Sequence, residues 1–274
     1  MKTRIRLNGA FEGIIATILG LIAVFPIYYM VAGAFFSVSE FSSYPPTLFP
    51  SSLKFSNFAR ALSESMISRF MVNSLITATI GAVLRIAIAV LCAFPAAFLV
   101  FRGRDALFIF VLATMLLPSD ALIIENYLTI SSLGLIDTYA GIMSIHLLAP
   151  VQIFLLRQAF KSIPRAYKEV AALDGCNDIQ FLSRIVLPLT RQIVFVLFLQ
   201  SFTSIWNAYL WPLLITNDSR MRTVQVGITM LNYAENLDFG PVFAAITLVV
   251  LPSIGIFLIF RKKIVDGIAA AVLS

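Results

Sequence analysis

Long apolar runs make up most of the chain, and short polar stretches separate them. Several of these runs are about 20 residues long, which is the length that a helix needs to cross a hydrocarbon core of ~30 Å. The pattern predicts an all-α, polytopic membrane protein with six transmembrane helices in a single domain, residues 1–274. We place the spans near residues 14–36, 70–100, 107–127, 139–160, 193–215 and 242–260.

The second apolar run is longer than a bilayer requires. Its roughly 30 residues would form a helix of about 45 Å, with Arg85 near the middle. Either this helix projects beyond the membrane, or it tilts and lines a cavity. The stretch Phe41–Phe58 before it contains three prolines and cannot be one regular helix. We expect an extracytoplasmic connector there.

Composition identifies the bilayer as the solvent for most of the surface. The chain is 59% hydrophobic and 12% charged, with a mean hydropathy of +0.93, whereas a soluble domain carries about twice that charged fraction. The net charge of +6 does not point to nucleic acid, because the basic residues punctuate the apolar runs and form no stripe. The positions of Cys92 and Cys176 favour neither a disulfide nor a metal site.

Basic residues in short loops predict the orientation of the chain. They cluster before span one, between spans two and three, between spans four and five, and after span six. Residues 119–138, in contrast, contain three acidic residues and no basic one. Both termini are therefore predicted to be cytoplasmic. The first apolar run is longer than a signal-peptide core and lacks a convincing cleavage site, so we interpret it as a retained helix.

The cytoplasmic stretch 161–188 predicts a hairpin of two short helices. Pro164 suits a first helical turn, Gly175 provides a stop, and Asn177 or Asp178 caps a second helix that runs to Leu187. On spacing alone, this hairpin either packs on lipid headgroups or offers a surface to another protein.

The residues of this hairpin resemble a known motif. Glu169-Val170-Ala171, then Gly175, then Ile185-Val186-Leu187-Pro188 is similar to the EAA motif of permeases of binding-protein-dependent ABC importers, with Val170 in place of the usual first alanine. Asp174 before Gly175 is typical of the carbohydrate branch. The resemblance implies a type I ABC importer permease fold, in which residues 164–176 dock on a separate ATPase. The residues implied in docking are Glu169, Ala171, Ala172, Asp174 and Gly175.

Other segments resemble the maltose-type and glycerol-3-phosphate-type permeases of that branch. They are Asn73-Ser74, the run Leu133–Gly141, the run Trp206–Leu213 and the ending Arg261–Gly267. The resemblance covers nearly the whole chain and implies a bacterial inner-membrane location. It also implies its partners: a second homologous permease, two ATPase subunits and a soluble or lipid-anchored substrate-binding protein.

The sequence contains no pattern for catalysis. It lacks the glycine-rich phosphate loop that holds ATP, a metal-ligand cluster and a Ser-His-Asp set. We therefore expect a non-enzymatic permease without a cofactor of its own, with ATP and Mg on the partner ATPase. His146, the only histidine, lies in span four and is interpreted either as a packing residue or as a hydrogen-bond donor to a cavity.

Polar and aromatic residues inside predicted spans are candidates for the substrate pathway. Arg85 either forms an ion pair with the second permease or faces the substrate cavity, because charge at membrane depth is costly. A phosphate or sulfonate on the substrate would make Arg85 the first residue to consider. Span five contains a group of aromatic and amide residues, Trp206, Asn207, Tyr209 and Trp211. These residues are either interfacial anchors or a sugar-binding surface, which the amide of Gln200 would extend.

The resemblance and these candidates lead to one main functional hypothesis. The chain is expected to be a permease subunit of an ATP-driven importer for an oligosaccharide, polyol, glycerol phosphate or sulfonated sugar. An ion-gradient-driven secondary transporter is the alternative, and it would need an internal repeat and intramembrane carboxylates. A membrane-embedded enzyme would need a catalytic constellation.

Overall fold

The computed structural model describes residues 9–63, 65–231 and 238–273, and these residues contain helices and no strand. The all-α prediction is confirmed. Along the chain the α-helices are α1 (Gly9–Gly33), α2 (Val38–Phe41), α3 (Ser56–Ser63), α4 (Ile67–Phe98), α5 (Arg104–Ala113), α6 (Ile123–Ser132), α7 (Tyr139–Ser144), α8 (Pro150–Lys161), α9 (Ala166–Leu173), α10 (Asp178–Phe181), α11 (Leu187–Leu189), α12 (Arg191–Trp206), α13 (Leu210–Ile215), α14 (Val224–Ile228) and α15 (Gly240–Leu273).

Among the described residues, three helices are long and apolar enough to cross a membrane. They are the segments Glu12–Gly33, Ile67–Phe98 and Gly240–Phe260, and the bent pair Asp178–Leu189 and Arg191–Trp206 is a fourth if it counts as one span. A multi-pass membrane protein is therefore supported, while the six-span placement stays a prediction. The N-terminal basic residues Lys2, Arg4 and Arg6, on which the predicted orientation partly depends, lie outside the described residues.

Three of the predicted spans are interrupted in the structure. The interruptions lie at residues 114–122, 145–149 and 207–209. Pro118 lies within the first, Pro150 begins the helix after the second, and Pro212 lies in the first turn after the third. Proline lacks an N–H and cannot continue an α-helical ladder. The apolar pattern runs through each break, so hydropathy alone predicts a continuous span.

The chain divides into two compact units. The first consists of the region up to Ser68 with Ile228–Pro252, and the second of Arg69–Gly227 with the region from Ser253.

In the first unit, Asn57 holds irregular backbone just past the end of α1. Its amide Nδ2 donates to the carbonyls of Ala34 (3.0 Å) and Phe36 (2.9 Å). A Cβ on Gly240 would lie only 2.5 Å from that amide nitrogen, so glycine lets α15 begin against Asn57. Nearby, a guanidinium nitrogen of Arg60 lies 2.5 Å from a carboxylate oxygen of Asp238.

Two apolar clusters of the second unit are formed by described residues. The hairpin-end core gathers the second half of α4 with parts of α5, α8 to α10 and α12, and it includes Ile86, Ile153, Ala171, Phe181 and Leu197. The loop-end core gathers parts of α6, α7 and α13, namely Ile130, Ile142, Trp211 and Ile215. Along the chain, Gln200 and Asn207 lie between Leu197 of the first core and Trp211 of the second.

Candidate functional site

The hairpin at residues 161–189 has a turn with two independent hydrogen-bonded caps. At the end of α9, the N–H of Cys176 donates to the carbonyl of Ala171 (2.9 Å) and that of Gly175 to Ala172 (3.1 Å). Gly175 adopts a φ of 76°, which glycine accepts without a Cβ penalty. Asn177 and Gln180 then form a capping box at the start of α10.

The second arm of the hairpin extends beyond its predicted end at Leu187. It continues through a π-helical turn at Leu182–Val186 and through α11 to Leu189. The axis then bends by 82° into α12. The wider π turn accommodates Pro188, whose ring would meet the carbonyl of Arg184 in an α-helix.

The predicted docking residues do not all face the same way. Ala171 is buried in the hairpin-end core, while Glu169, Ala172, Asp174 and Gly175 are exposed. The small side chain of Ala171 lets α9 lie close to the chain's own core. The other four residues are accessible to a partner.

Large apolar side chains, which sequence reasoning missed, are also exposed on the hairpin. Leu173 is 88% exposed and Ile179 is 77% exposed, and Tyr167 and Val170 are exposed as well. Their signal was present in the sequence, because apolar residues stand here among charged ones in a predicted cytoplasmic loop. We call Tyr167, Val170, Leu173 and Ile179 the apolar ridge. It is a surface suited to burial against protein.

Lys168 connects the hairpin to the end of α4. Its Nζ donates to the carbonyl of Phe98 (3.0 Å) and lies 3.3 Å from a carboxylate oxygen of Asp178. The last carbonyls of a helix lack intrahelical partners and carry partial negative charge, so a cation there is favourable.

Arg157 on α8 makes a second contact with this end of α4. Its Nε donates to the carbonyl of Ala96 (3.1 Å), and its guanidinium lies 3.9 Å from the centre of the Phe108 ring. Arg157 also approaches Asp105 at 3.4 Å. The hydrogen bond from Arg104, with a smaller contribution from Arg157, lowers the pKa of Asp105 below its usual value.

The structure buries both tryptophans of span five. Trp206 stacks on Phe202 with ring centroids 5.8 Å apart, and the indole N–H of Trp211 donates to the carbonyl of Gly141 (3.1 Å). Their exposed fractions are 2% and 3%. Trp211 therefore joins α13 to α7, while Trp206 is buried beside a ring of its own helix.

The amide residues of span five are placed differently. Gln200, Ser204 and Asn207 are exposed and follow the i, i+4, i+7 spacing of one helix face along α12. The Oδ1 of Asn207 accepts a hydrogen bond from Gln225 (3.3 Å), and Tyr209 is exposed in the break after α12. A polar line on an apolar helix faces water or another protein and not lipid.

A buried glutamine, also missed from the sequence, connects this line to α8. The Nε2 of Gln152 donates to the Oγ of Ser201 (2.6 Å) and to the Oε1 of Gln200 (3.2 Å). Gln152 is only 2% exposed, and its Oε1 has no hydrogen-bond partner among the described residues.

Arg85 lies on the interior face of α4. The residues at neighbouring positions of this face are fully buried alanines, Ala78, Ala82, Ala89 and Ala93. Among the described residues, no carboxylate pairs with Arg85, and its buried Nε has no hydrogen-bond partner. The buried Nε2 of His146 is equally without a partner, and Arg85 is close enough for its charge to act on the imidazole.

The Asn73-Ser74 pair holds the segment that precedes α14. The Nδ2 of Asn73 donates to the carbonyls of Arg220 (2.8 Å) and Arg222 (2.9 Å), and its Oδ1 accepts from the hydroxyl of Tyr139 (2.8 Å). The Oγ of Ser74 accepts the N–H of Val224 (2.8 Å).

The run Leu133–Gly141 also holds backbone in place. Asp137, at a φ of 56°, accepts the N–H groups of Asn217 (2.7 Å) and Asp218 (2.8 Å). Thr138 caps α7 by accepting the N–H of Gly141 (3.0 Å). Asn73-Ser74 and the run Leu133–Gly141, two of the four segments that resemble the carbohydrate branch, thus have a structural role at the loop end of the second unit.

Comparison with known proteins gives consistent results. Residues 85–268 match the model of the family described as binding-protein-dependent transport system inner membrane component. The sn-glycerol-3-phosphate transport system permease protein of Rhizobium meliloti (strain 1021) is 33% identical over 257 residues, which cover 90% of this chain and 91% of the relative. The trehalose/maltose transport system permease protein of Thermococcus litoralis is 29% identical over 264 residues, 94% of each chain.

A solved structure has the same fold. It is described as a bacterial ABC transporter involved in the import of the acidic polysaccharide alginate. It superposes with a TM-score of 0.86 at 24% identity, covering 96% of this chain and 98% of that one.

Proposed function

Because this chain belongs to the family of binding-protein-dependent transport system inner membrane components, we propose that it forms half of the translocation pathway of an ATP-driven importer for a sugar or sugar-like solute. Membership makes the chain a membrane permease that works with an ATPase and a substrate-binding protein. The relatives named for glycerol phosphate and for trehalose or maltose support the solute class. The other half of the pathway is a second, homologous permease.

The hairpin at residues 161–189 is the proposed docking element for the ATPase, and the exposure of its apolar ridge is the observation that carries this assignment. Docking would bury Leu173 and Ile179, and burial of one such side chain is worth roughly 1.5–3 kcal/mol. The exposed carboxylates of Glu169 and Asp174 would add charge complementarity, which favours the correct partner. The caps at Gly175 and Asn177 keep the hairpin stiff enough to transmit movement.

The proposed mechanism is alternating access. A soluble or lipid-anchored binding protein delivers the solute to the outer face of the two permeases in the bacterial inner membrane, with both termini of this chain cytoplasmic. Two ATPase subunits close when ATP and Mg bind to them, and the docked hairpin moves with them. This movement closes the cytoplasmic side of the pathway and opens the outer side, and hydrolysis resets it.

The solute pathway is proposed to pass along the exposed face of α12. Gln200 and Asn207 offer donors and acceptors for hydroxyl groups, and Tyr209 offers an aromatic face. Trp206 and Trp211 would support this surface from inside the chain. Arg85 is the charged candidate for contact with the solute.

Co-purification and reconstituted uptake test this function. The tagged chain, expressed with its neighbouring subunits, should bring down an ATPase and a second permease. In proteoliposomes the complex should accumulate solute only with ATP and binding protein. Uptake driven by a proton or sodium gradient without ATP would contradict the proposal and favour a secondary transporter.

A further inference from the structure

Arg85 is a half-buried cation of the second unit without a counter-ion in the described residues. The alanine positions around it on α4 are fully buried, so its helix face is the protein-facing one and not the lipid-facing one. A half-buried charge without a partner is costly, so arginine at this position requires water or an anion from outside the chain.

The backbone beside Arg85 is irregular at the same place. His146 lies in the break between α7 and α8, and its buried Nε2 has no hydrogen-bond partner in the described part of the chain. Non-helical backbone at membrane depth is tolerated where protein buries it or where it lines a water-filled cavity. Broken helices near the bilayer midplane are a common location of solute sites in transporters.

The start of α8 adds positive potential to this region. Ala149 at its N-terminus provides no side-chain cap, and the N-terminus of a helix carries partial positive charge. Arg85 and this helix terminus together favour an anion, His146 offers a hydrogen-bonding nitrogen, and no described carboxylate pairs with Arg85 there. Recognition of a neutral sugar would need hydroxyl-binding amides and stacking surfaces, and α12 already offers these.

We propose that Arg85, with His146 beside it, binds an anionic group of the transported solute, a phosphate ester, sulfonate or carboxylate. A guanidinium binds such a group through two parallel hydrogen bonds. The hydroxyls of the same solute would be served by Gln200 and Asn207. This inference rests on the proposed function, because it requires that the chain lines a solute pathway.

The test uses the complete reconstituted complex with its binding protein. ATP hydrolysis and uptake are measured with matched anionic and neutral solutes: sn-glycerol 3-phosphate against glycerol, and galacturonate against galactose. We expect an anionic member to be transported and its neutral counterpart to be a poor substrate. In Arg85→Met, kcat/KM for the anionic solute should fall about tenfold to a hundredfold, the range for losing hydrogen bonds to a charged group. Arg85→Lys should give an intermediate kcat/KM, because lysine keeps the positive charge but cannot make the two parallel hydrogen bonds of a guanidinium.

Arg69→Met is the matched control, because Arg69 is an exposed arginine on the same helix, and it should transport as wild type. His146→Asn should lower uptake of the anionic solute less than Arg85→Met does. Co-purification of the partner subunits should be unchanged in all these variants.

Three results would overturn the inference and leave the proposed function standing. One is a wild-type complex that imports neutral sugars and rejects their anionic counterparts. Another is Arg85→Met with unchanged uptake of the anionic solute, or with equal losses for anionic and neutral solutes. The third is a pair of outcomes: the complex fails to assemble with Arg85→Met, whereas Arg85→Lys gives normal assembly and full uptake. That pair would assign Arg85 to an ion pair with the second permease. ATP-independent uptake by the wild type would instead contradict the proposed function itself.

Discussion

Glu40 lies in the connector after α1 and is surrounded by donors. Its two carboxylate oxygens accept the N–H and the hydroxyl of Ser37 (2.7 and 2.6 Å) and those of Ser51 (both 2.7 Å). These hydrogen bonds, with the Ser37 hydroxyl first, lower the pKa of Glu40 from 4.5 to about 2. The ionised form is thus the one that stabilises the connector, and it joins Ser37 to Ser51 across the turn.

This arrangement predicts an acid-sensitive contribution to stability. The pKa of Glu40 is lower in the folded state than in the unfolded state. The ionised carboxylate therefore gives stabilisation that is fully present above pH 4.5 and is lost as the pH falls towards 2. Glu40→Gln should lower the melting temperature in nanodiscs at pH 7, and the gap to wild type should narrow below pH 4.5. Glu125→Gln, at an exposed position of α6, is the control. A gap that stays constant down to pH 3 would contradict the assignment.

Two buried asparagines show how single side chains secure irregular backbone. Asn57 and Asn73 each use both Nδ2 hydrogens on two carbonyls of a non-helical segment. A carbonyl buried without a partner costs about 1–3 kcal/mol, so one amide in each place offsets two such costs. Family resemblance drew attention to Asn73, but nothing in the local pattern of the sequence distinguished Asn57.

At the scale of elements, the hairpin predicts a specific loss of coupling. Leu173→Glu places a charge in the middle of the apolar ridge, so affinity for the ATPase should fall about tenfold to a hundredfold. Uptake should fall with it, while assembly with the second permease remains, because Leu173 is 88% exposed and supports no core of this chain. Quantitative pull-down of the ATPase measures the effect.

Leu53→Glu is the matched control, because Leu53 is an exposed leucine in the connector outside the hairpin. It should leave the pull-down of the ATPase unchanged. Normal pull-down and uptake in Leu173→Glu would instead mean that the ridge lies on lipid headgroups.

For the molecule as a whole, the sequence predicted the class of α-helical membrane protein, the hairpin and the residues of its turn well, because each of these follows from local physics. Hydropathy indicates a membrane protein, and Gly175 and Asn177 have the backbone preferences that their caps require. The facing of side chains depends on tertiary packing and was not predictable. Ala171 faces the core, Trp206 is buried, and α12 stops before Asn207, although apolar residues continue beyond it. Gln152 could have been noticed as an amide within an apolar span.

In the proposed mechanism, the contact between Lys168 and Phe98 is a route from the ATPase to the solute. Lys168 belongs to the hairpin, while Phe98 ends the helix that carries Arg85. Phe98 lies 13 positions after Arg85 on α4, which corresponds to about 20 Å of helix. A movement of the hairpin that pulls on the end of α4 would therefore shift the guanidinium along the pathway. Arg157 holds the same end of α4 to α8. Lys168 connects it to α9, beside the ring contacts that Phe181 of the hairpin makes with Phe94 and Phe98.

Lys168→Met should keep the stem of the side chain and remove the contact. We expect ATP hydrolysis by the assembled complex to continue while uptake per ATP falls severalfold, because a hydrogen bond from a charged group is worth about 1.5–3 kcal/mol. Lys161→Met, an exposed lysine at the end of α8, is the matched control and should keep the wild-type ratio. Equal losses of hydrolysis and uptake in Lys168→Met would show that Lys168 supports docking of the ATPase and not transmission to α4.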